Sequence, residues 1–192
     1  MKLALYGYGG HAREIAAQIG QEITFFVDDD YVNQYTQPIS LFNPKDYLIM
    51  VAVGDSKIRY DMVQKLPKET QFFTFIHPSV LILDDNIEIG EGSFIGANSI
   101  LTTNIKIGKH ALLNRGNQIG HDTIIGDFFS AMPGAIISGN VTIHDLVYLG
   151  TNSSIKEKLS IHSLTTIGLN SGVITNLQEP GVYGGTPAKK IK

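Results

Sequence analysis

From Leu83 to Val173 every sixth residue of the chain is aliphatic, sixteen positions in succession with no insertion between them. The run is Leu83, Ile89, Ile95, Leu101, Ile107, Leu113, Ile119, Ile125, Ala131, Ile137, Ile143, Leu149, Ile155, Ile161, Ile167 and Val173. Aliphatic residues make up roughly a third of an ordinary composition, so chance does not produce such a run. The next residue is often glycine, as at Gly90, Gly96, Gly108, Gly120, Gly126, Gly150 and Gly168. Four places on it is often small or β-branched, as at Ser93, Ser99, Ala111, Thr123, Ala135 and Val141. A period of six suits neither an α-helix nor a hairpin. It is the signature of a hexapeptide β-helix.

In such a fold each hexad supplies a short strand and a corner, and three hexads close a triangular coil. The fifteen hexads from Leu83 to Val173 then make five coils of eighteen residues. Coils stack at about 4.8 Å, which gives a prism roughly 24 Å tall. The aliphatic residue points inward and the small residue fills the remaining space. Glycine or a short polar residue takes the corner, where positive φ is required. Residues eighteen apart sit above one another, so one corner column reads Asp85, Thr103, His121, Gly139, Glu157 and its neighbour Asn86, Asn104, Asp122, Asn140, Lys158.

The first 76 residues lose this period. Lys2–Tyr6 is a compact apolar run followed by Gly7-Tyr8-Gly9-Gly10-His11-Ala12 and a helical stretch through Ile19. Glu22–Val27, Asp46–Val53 and Gln71–Ile76 read as further strands, with a helical segment at Lys57–Leu66. The alternation implies a small parallel sheet, an α/β Rossmann-like domain over 1–77 ahead of an all-β helix over 78–192. Gly7-x-Gly9-x-x-Ala12 after a strand satisfies the dinucleotide fingerprint, with Asp28 where a ribose-binding acid is expected. The domain has only about half the strands of a full dinucleotide fold. A mononucleotide or nucleotide-linked substrate fits better, and a tight turn without a ligand is the competing reading.

Cysteine is absent, which excludes a disulfide framework and a thiol nucleophile. The net charge of −3 carries no basic block, which argues against nucleic acid as a partner. The longest apolar stretch, Leu48 to Val53, is too short to insert in a membrane, and the N-terminus lacks the pattern of a signal peptide. The expectation is a cytoplasmic protein. His144 and His162 stack eighteen apart, but two ligands make a poor metal pair and no metal is expected. His110 reads as a surface corner, and His77, before Pro78, as structural.

Several motifs together resemble one family. Tyr6-Gly-Tyr-Gly-Gly-His11-Ala12-Arg13-Glu14, Val27-Asp28-Asp29, Val53-Gly54-Asp55 and Ile76-His77-Pro78-Ser79 are similar to the N-terminal half of sugar O-acyltransferases of the sialic acid O-acetyltransferase type. Ile119-Gly-His121-Asp122, Pro133-Gly134-Ala135, Ser138-Gly139-Asn140-Val141 and Gly181-Val-Tyr-Gly-Gly-Thr-Pro187-Ala188-Lys189 carry the resemblance through the second half. The family includes bacterial N-acetyltransferases acting on nucleotide-linked 4-amino-4,6-dideoxy sugars. The resemblance implies a left-handed coil, a homotrimer, and acetyl-CoA as co-substrate in a groove between neighbouring prisms. It implies a nucleotide-linked amino sugar as partner of the N-terminal domain.

It also implies His121 as general base. Imidazole suits that role, since its ordinary pKa near 6.5 leaves it mostly neutral at neutral pH. Asp122 would orient the ring or support its protonated form, or else be one more corner residue in a column of asparagines. Gly139, one coil from His121, leaves a backbone N–H free for a thioester oxyanion. Ser130 stands where many relatives carry a second histidine that contacts acetyl-CoA. Thr151 and Lys189 complete the acetyl-CoA side, though a terminal lysine is equally read as solvated. Gly9, Gly10, His11, Asp28, Asp29, Gly54 and Asn114 are the candidates for the nucleotide sugar. The favoured reading is an acetyl-CoA-dependent N-acetyltransferase for a UDP-linked 4-amino sugar of a surface glycan. An O-acetyltransferase for sialic acid and a non-catalytic nucleotide-binding scaffold are the alternatives.

Overall fold

The computed structural model describes residues 1–192. The chain opens with β1 (Lys2–Tyr6), α1 (Gly10–Ile19), β2 (Thr24–Val27), β3 (Gln37–Pro38), β4 (Tyr47–Val51) and α2 (Ser56–Gln64). The four strands form one parallel sheet in the order β3-β2-β1-β4. β1 buries Ala4, Leu5 and Tyr6 consecutively, as a strand covered on both faces must. α1 turns Ala12, Ile15 and Ile19 onto the sheet and ends at Gly20, whose φ of 66° supplies the left-handed C-terminal turn. Asp55 caps α2, its carboxylate accepting the Ile58 N–H at 2.8 Å. α2 buries Ser56, Arg59 and Met62 on one side.

The remainder is a three-faced parallel prism. Its first face runs through Phe75–Ile76, Phe94–Ile95, Leu112–Leu113, Ser130–Ala131, Tyr148–Leu149 and Thr165–Ile167, then Gly181–Gly184 and an antiparallel Lys189–Lys190. The second includes Gln118–Ile119 and Ile136–Ile137, and the third Ile124–Ile125 and Thr142–Ile143. Pairing is eighteen residues apart, as in Leu113 with Ala131, Ile119 with Ile137 and Ile125 with Ile143. Inward residues from Ile95 to Val173 make one continuous buried core. The small residues also satisfy carbonyls: Ser99 Oγ donates to Asn114 O, and Thr123 Oγ1 to Ser138 O, each at 3.3 Å.

Three local expectations need correction. In the first coil Ile76 pairs with Ile95 and Ile82 with Leu101, nineteen residues apart, so an extra residue is accommodated there. Leu83 is therefore out of phase, and Ile82 takes the register position opposite Leu101, with both residues exposed, at 59% and 42%. Positive φ falls two places after the recurrent glycine, on residues such as Asn104, Asp122 and Asn140 at 52°, 58° and 58°. Gly120 is required by close approach instead, because a Cβ there would lie 2.5 Å from the Gly139 nitrogen of the next coil. His110 is no surface corner: it is 5% exposed, stacked on Phe128 at 4.9 Å and edge-on to Phe72 at 4.6 Å.

Gln71–Ile76 does not add a strand to the small sheet as a unit. Phe72 makes a single bridge to Ile49, while Phe75–Ile76 opens the first face of the prism. That face carries the N-terminal domain. Leu5, Ile15, Met50 and Ala52 share a buried cluster with Phe94 and Leu112. Around it, Glu14 pairs with Arg115, and Gln18 Oε1 accepts the Ala97 N–H at 2.9 Å.

Candidate active site

β1 ends in a turn that only glycine accommodates. Gly7 has φ 121°, and a Cβ there would press on Ala52 O at 3.3 Å and Val53 Cγ2 at 3.4 Å. The chain then enters α1 through Gly9, whose side chain position is open space and which gives the helix no side-chain cap. Unpaired first-turn N–H groups and a bare backbone are what an anionic ligand needs. Gly9 lines a cavity of about 340 Å³ with Tyr6, Tyr8, Asp28, Tyr31 and Val53. Asp28 there takes the Tyr6 hydroxyl and, at 3.2 Å from each oxygen, the Lys65 ammonium. Burial and the Asp28 contact push the Tyr6 phenol far up, so it stays a neutral donor.

The other candidates for this side are dispersed. Gly10 opens α1 and is exposed, while Asp29 accepts the Ser40 N–H at 3.2 Å. His11 is held below its ordinary pKa by burial, so it is a neutral imidazole beside Glu14. Its Nε2 is buried without a partner. Gly54 follows Val53 and lines a second cavity of about 340 Å³, between α2 and the first prism face, with Asp55, Ser56, Tyr148 and Thr166. Asn114 is 4% exposed, with Oδ1 turned to the Arg115 N–H at 2.7 Å, so it is a corner residue of the prism rather than an open ligand contact.

His121 and Asp122 occupy the corner between the second and third faces, both exposed. His121 Nδ1 lies 2.7 Å from Asp122 Oδ2. Hydrogen bonds from Asn104 and from His121 hold the Asp122 carboxyl below its usual range. An ionised carboxylate only accepts, so Nδ1 carries the proton and Nε2 presents its lone pair. Nε2 faces Gly139: a Cβ built there would sit 2.5 Å from it. The Gly139 N–H has no acceptor in the chain, as is also true of Thr103, His121 and Glu157 in this column.

The acetyl-CoA candidates do not converge in one chain. Gly139 is on the His121 corner, Thr151 on the corner between first and second faces, and Lys189 on the exposed C-terminal hairpin. Ser130 is fully buried in the seam between the domains, where it donates to Gly54 O at 2.7 Å and accepts from Arg59 at 2.8 Å. The expectation that it contacts acetyl-CoA is corrected accordingly. Across from it stands the residue that sequence reading missed. Arg59, 1% exposed, fans its guanidinium over Val53 O, Gly54 O, His110 O, Phe128 O and Phe129 O. Burial pulls its pKa down to about 9. No group of three or more His, Asp or Glu side chains is placed to hold a metal ion. No helix is long and apolar enough to cross a membrane.

A left-handed parallel β-helix with a corner His–Asp pair, preceded by a small glycine-looped parallel sheet, defines a hexapeptide-repeat acyltransferase. Residues 2–66 match the family model described as the PglD N-terminal domain. WeeI from Acinetobacter baumannii AYE is 29% identical with a TM-score of 0.89, covering 100% of both chains. The acetyltransferase domain of PglB from Neisseria gonorrhoeae FA1090, solved with acetyl coenzyme A, is 26% identical at TM-score 0.71 over 99% of this chain and 98% of that one. PerB from Caulobacter crescentus, solved with CoA and GDP-perosamine, shares the fold at 22% identity and TM-score 0.88, over 100% of this chain and 98% of that one. No curated protein matches the chain in sequence.

Proposed function

We propose that the protein transfers an acetyl group from acetyl-CoA to the 4-amino group of a nucleotide-linked 4-amino-4,6-dideoxy sugar, with UDP as the nucleotide. The observation that carries this reading is the corner at His121: a ring locked by Asp122 so that Nε2 is free, with an unpartnered N–H at Gly139 beside it. The acceptor amine attacks the thioester carbonyl while His121 Nε2 takes its proton. The oxyanion is met by the Gly139 N–H. Collapse expels the CoA thiolate, which recovers the proton from the imidazolium, leaving an amide and CoA. No covalent enzyme intermediate is needed.

The nucleotide belongs in the Gly9 cavity and the sugar toward the adjoining Gly54 cavity. Because the N-terminal domain sits on the first prism face, the His121 corner is the edge farthest from it in the same chain. A homotrimer resolves this separation, since a neighbouring prism brings its corner to the nucleotide domain and the acetyl-CoA residues of two edges into one groove. Its substrates are cytoplasmic metabolites, and the protein acts in that compartment. The test is acetyl transfer measured against UDP-, dTDP-, GDP- and CMP-linked 4-amino sugars, with mass determined by light scattering. Transfer to the UDP sugar by a trimer supports the reading. Transfer to free sialic acid, or full activity as a 21.0 kDa monomer, overturns it.

A further inference from the structure

We infer that Asn104 is a positioning residue for the general base, the middle rung of a side-chain ladder that fixes the imidazole tautomer of His121. The ladder runs down the corner column: Asn86 Nδ2 donates to Asn104 Oδ1 at 2.9 Å, Asn104 Nδ2 donates to Asp122 Oδ1 at 2.6 Å, and Asp122 Oδ2 meets His121 Nδ1 at 2.7 Å. The residues are eighteen apart and therefore one coil apart, so the prism itself sets the spacing.

The chemistry gives the ladder a direction. Asp122 as a carboxylate has no proton to offer, so the Asn104 amide must turn its NH₂ toward it and its oxygen toward Asn86. Asn86 must then donate. Each amide has one orientation only, dictated from the catalytic end. Both carboxylate oxygens are thereby assigned, Oδ1 to Asn104 and Oδ2 to the ring. A carboxylate held at one oxygen alone could rotate and release Nδ1. The neighbouring column contributes no competing donor: Thr103 Oγ1 is turned to Asp84. The titratable group acting on Asp122 is His121 alone. Asn104 also suits the site locally, because its φ of 52° is tolerated by asparagine at little cost.

This inference rests on the reading of His121 as base, and the test separates the two. Asn104→Asp keeps the shape and turn preference but sets an acceptor against an acceptor. Asn104→Gly removes the amide and keeps the positive φ without strain. In both, kcat should fall about 5- to 30-fold with the KM values for acetyl-CoA and the nucleotide sugar within twofold, and Asn104→Asp should be the slower. Nitrogen-15 NMR of His121 should show the Nδ1–H tautomer in the parent and a mixture of tautomers in both variants. That change supports the ladder even if His121→Ala, assayed in parallel, proves active and removes the base assignment. An unchanged tautomer in both variants overturns the ladder even if kcat falls, since a structural defect alone would then account for the loss.

Discussion

Replacing Arg59 with methionine should loosen the joint between the two halves of the molecule. Arg59 enters the seam from α2 and supplies hydrogen bonds to five backbone carbonyls and to Ser130 Oγ. Two of those carbonyls keep other partners when it is removed: Gly54 O still receives the Ser130 hydroxyl at 2.7 Å, and Phe129 O still receives the Leu112 N–H at 2.8 Å. Val53 O, His110 O and Phe128 O are left without a partner. An orphaned buried acceptor costs about 1–3 kcal/mol, so three of them cost on the order of 3–9 kcal/mol. Part of this is returned, because the variant no longer desolvates a cation whose pKa burial has pulled down to about 9. The net expectation is a loss of about 2–4 kcal/mol.

For a chain of this size each kcal/mol shifts the melting temperature by about 2–4 °C, so Arg59→Met should melt roughly 5–15 °C lower. Calorimetry should also resolve an early transition as the N-terminal domain leaves the first prism face, with Phe72, packed edge-on against His110, becoming accessible. Arg59→Lys should fall between the two, having the charge but not the planar fork that reaches both sides of the seam. A melting temperature at or above the parent value in Arg59→Met would refute the reasoning. It would mean that the desolvation of the guanidinium outweighs everything it binds.

Other outcomes follow from the same geometry. His121→Ala should lower kcat by roughly 10²–10⁴-fold with little change in KM for acetyl-CoA, read by steady-state kinetics. Gly139→Ala should fold but displace the imidazole, because the added carbon would sit 2.5 Å from Nε2, so kcat falls in the same assay. Gly9→Val should raise KM for the nucleotide sugar at least tenfold and leave that for acetyl-CoA nearly unchanged, since Gly9 has ordinary φ, open space about its Cβ position and a place in the cavity lining. Burial, with Arg59 and Lys109 opposing protonation and Glu91 and Asp127 favouring it, holds His110 down at about 4 against an ordinary 6.5. A depressed histidine pKa leaves stability intact above about pH 6.5 and erodes it as pH falls toward 4, by up to about 3 kcal/mol; denaturation in urea across that range should show the slope, and His110→Phe should flatten it.

How much of this was legible in the chain depends on the range over which each interaction acts. The prism could be read because its core repeats a local rule fifteen times, and a single slip, at Leu83, escapes notice when its neighbour Ile82 is also aliphatic. The glycine loop was legible because a turn depends on adjacent residues. Arg59 was not, because one arginine among polar helix residues looks solvated until the partner surface, Phe128 to Ser130, is known to lie against it. His110 and Ser130 were misplaced for the same reason. Both sit on the prism, where the six-residue rule predicts their direction relative to the coil but says nothing about a second domain covering that face.

The His121 corner is a different case, since its neighbours are distant in sequence yet fixed by a known interval. In an ordinary fold the residue beneath a catalytic group cannot be named from the chain alone. Here it lies eighteen positions away, so counting along the sequence sets Gly139 beside His121 and Asn104 beside Asp122. The interval supplies adjacency but not orientation. That Gly139 underlies Nε2, and that the amide of Asn104 must donate to the carboxylate, depend on how the side chains are turned within the column. Substitutions along this column should therefore act on the base in order of coil distance, Asn104 strongly and Asn86 weakly, whereas changes on the outer strand positions between them should leave kcat alone. A ranking in which Asn86→Ala cost as much as Asn104→Gly would show that the column acts as one rigid unit rather than rung by rung.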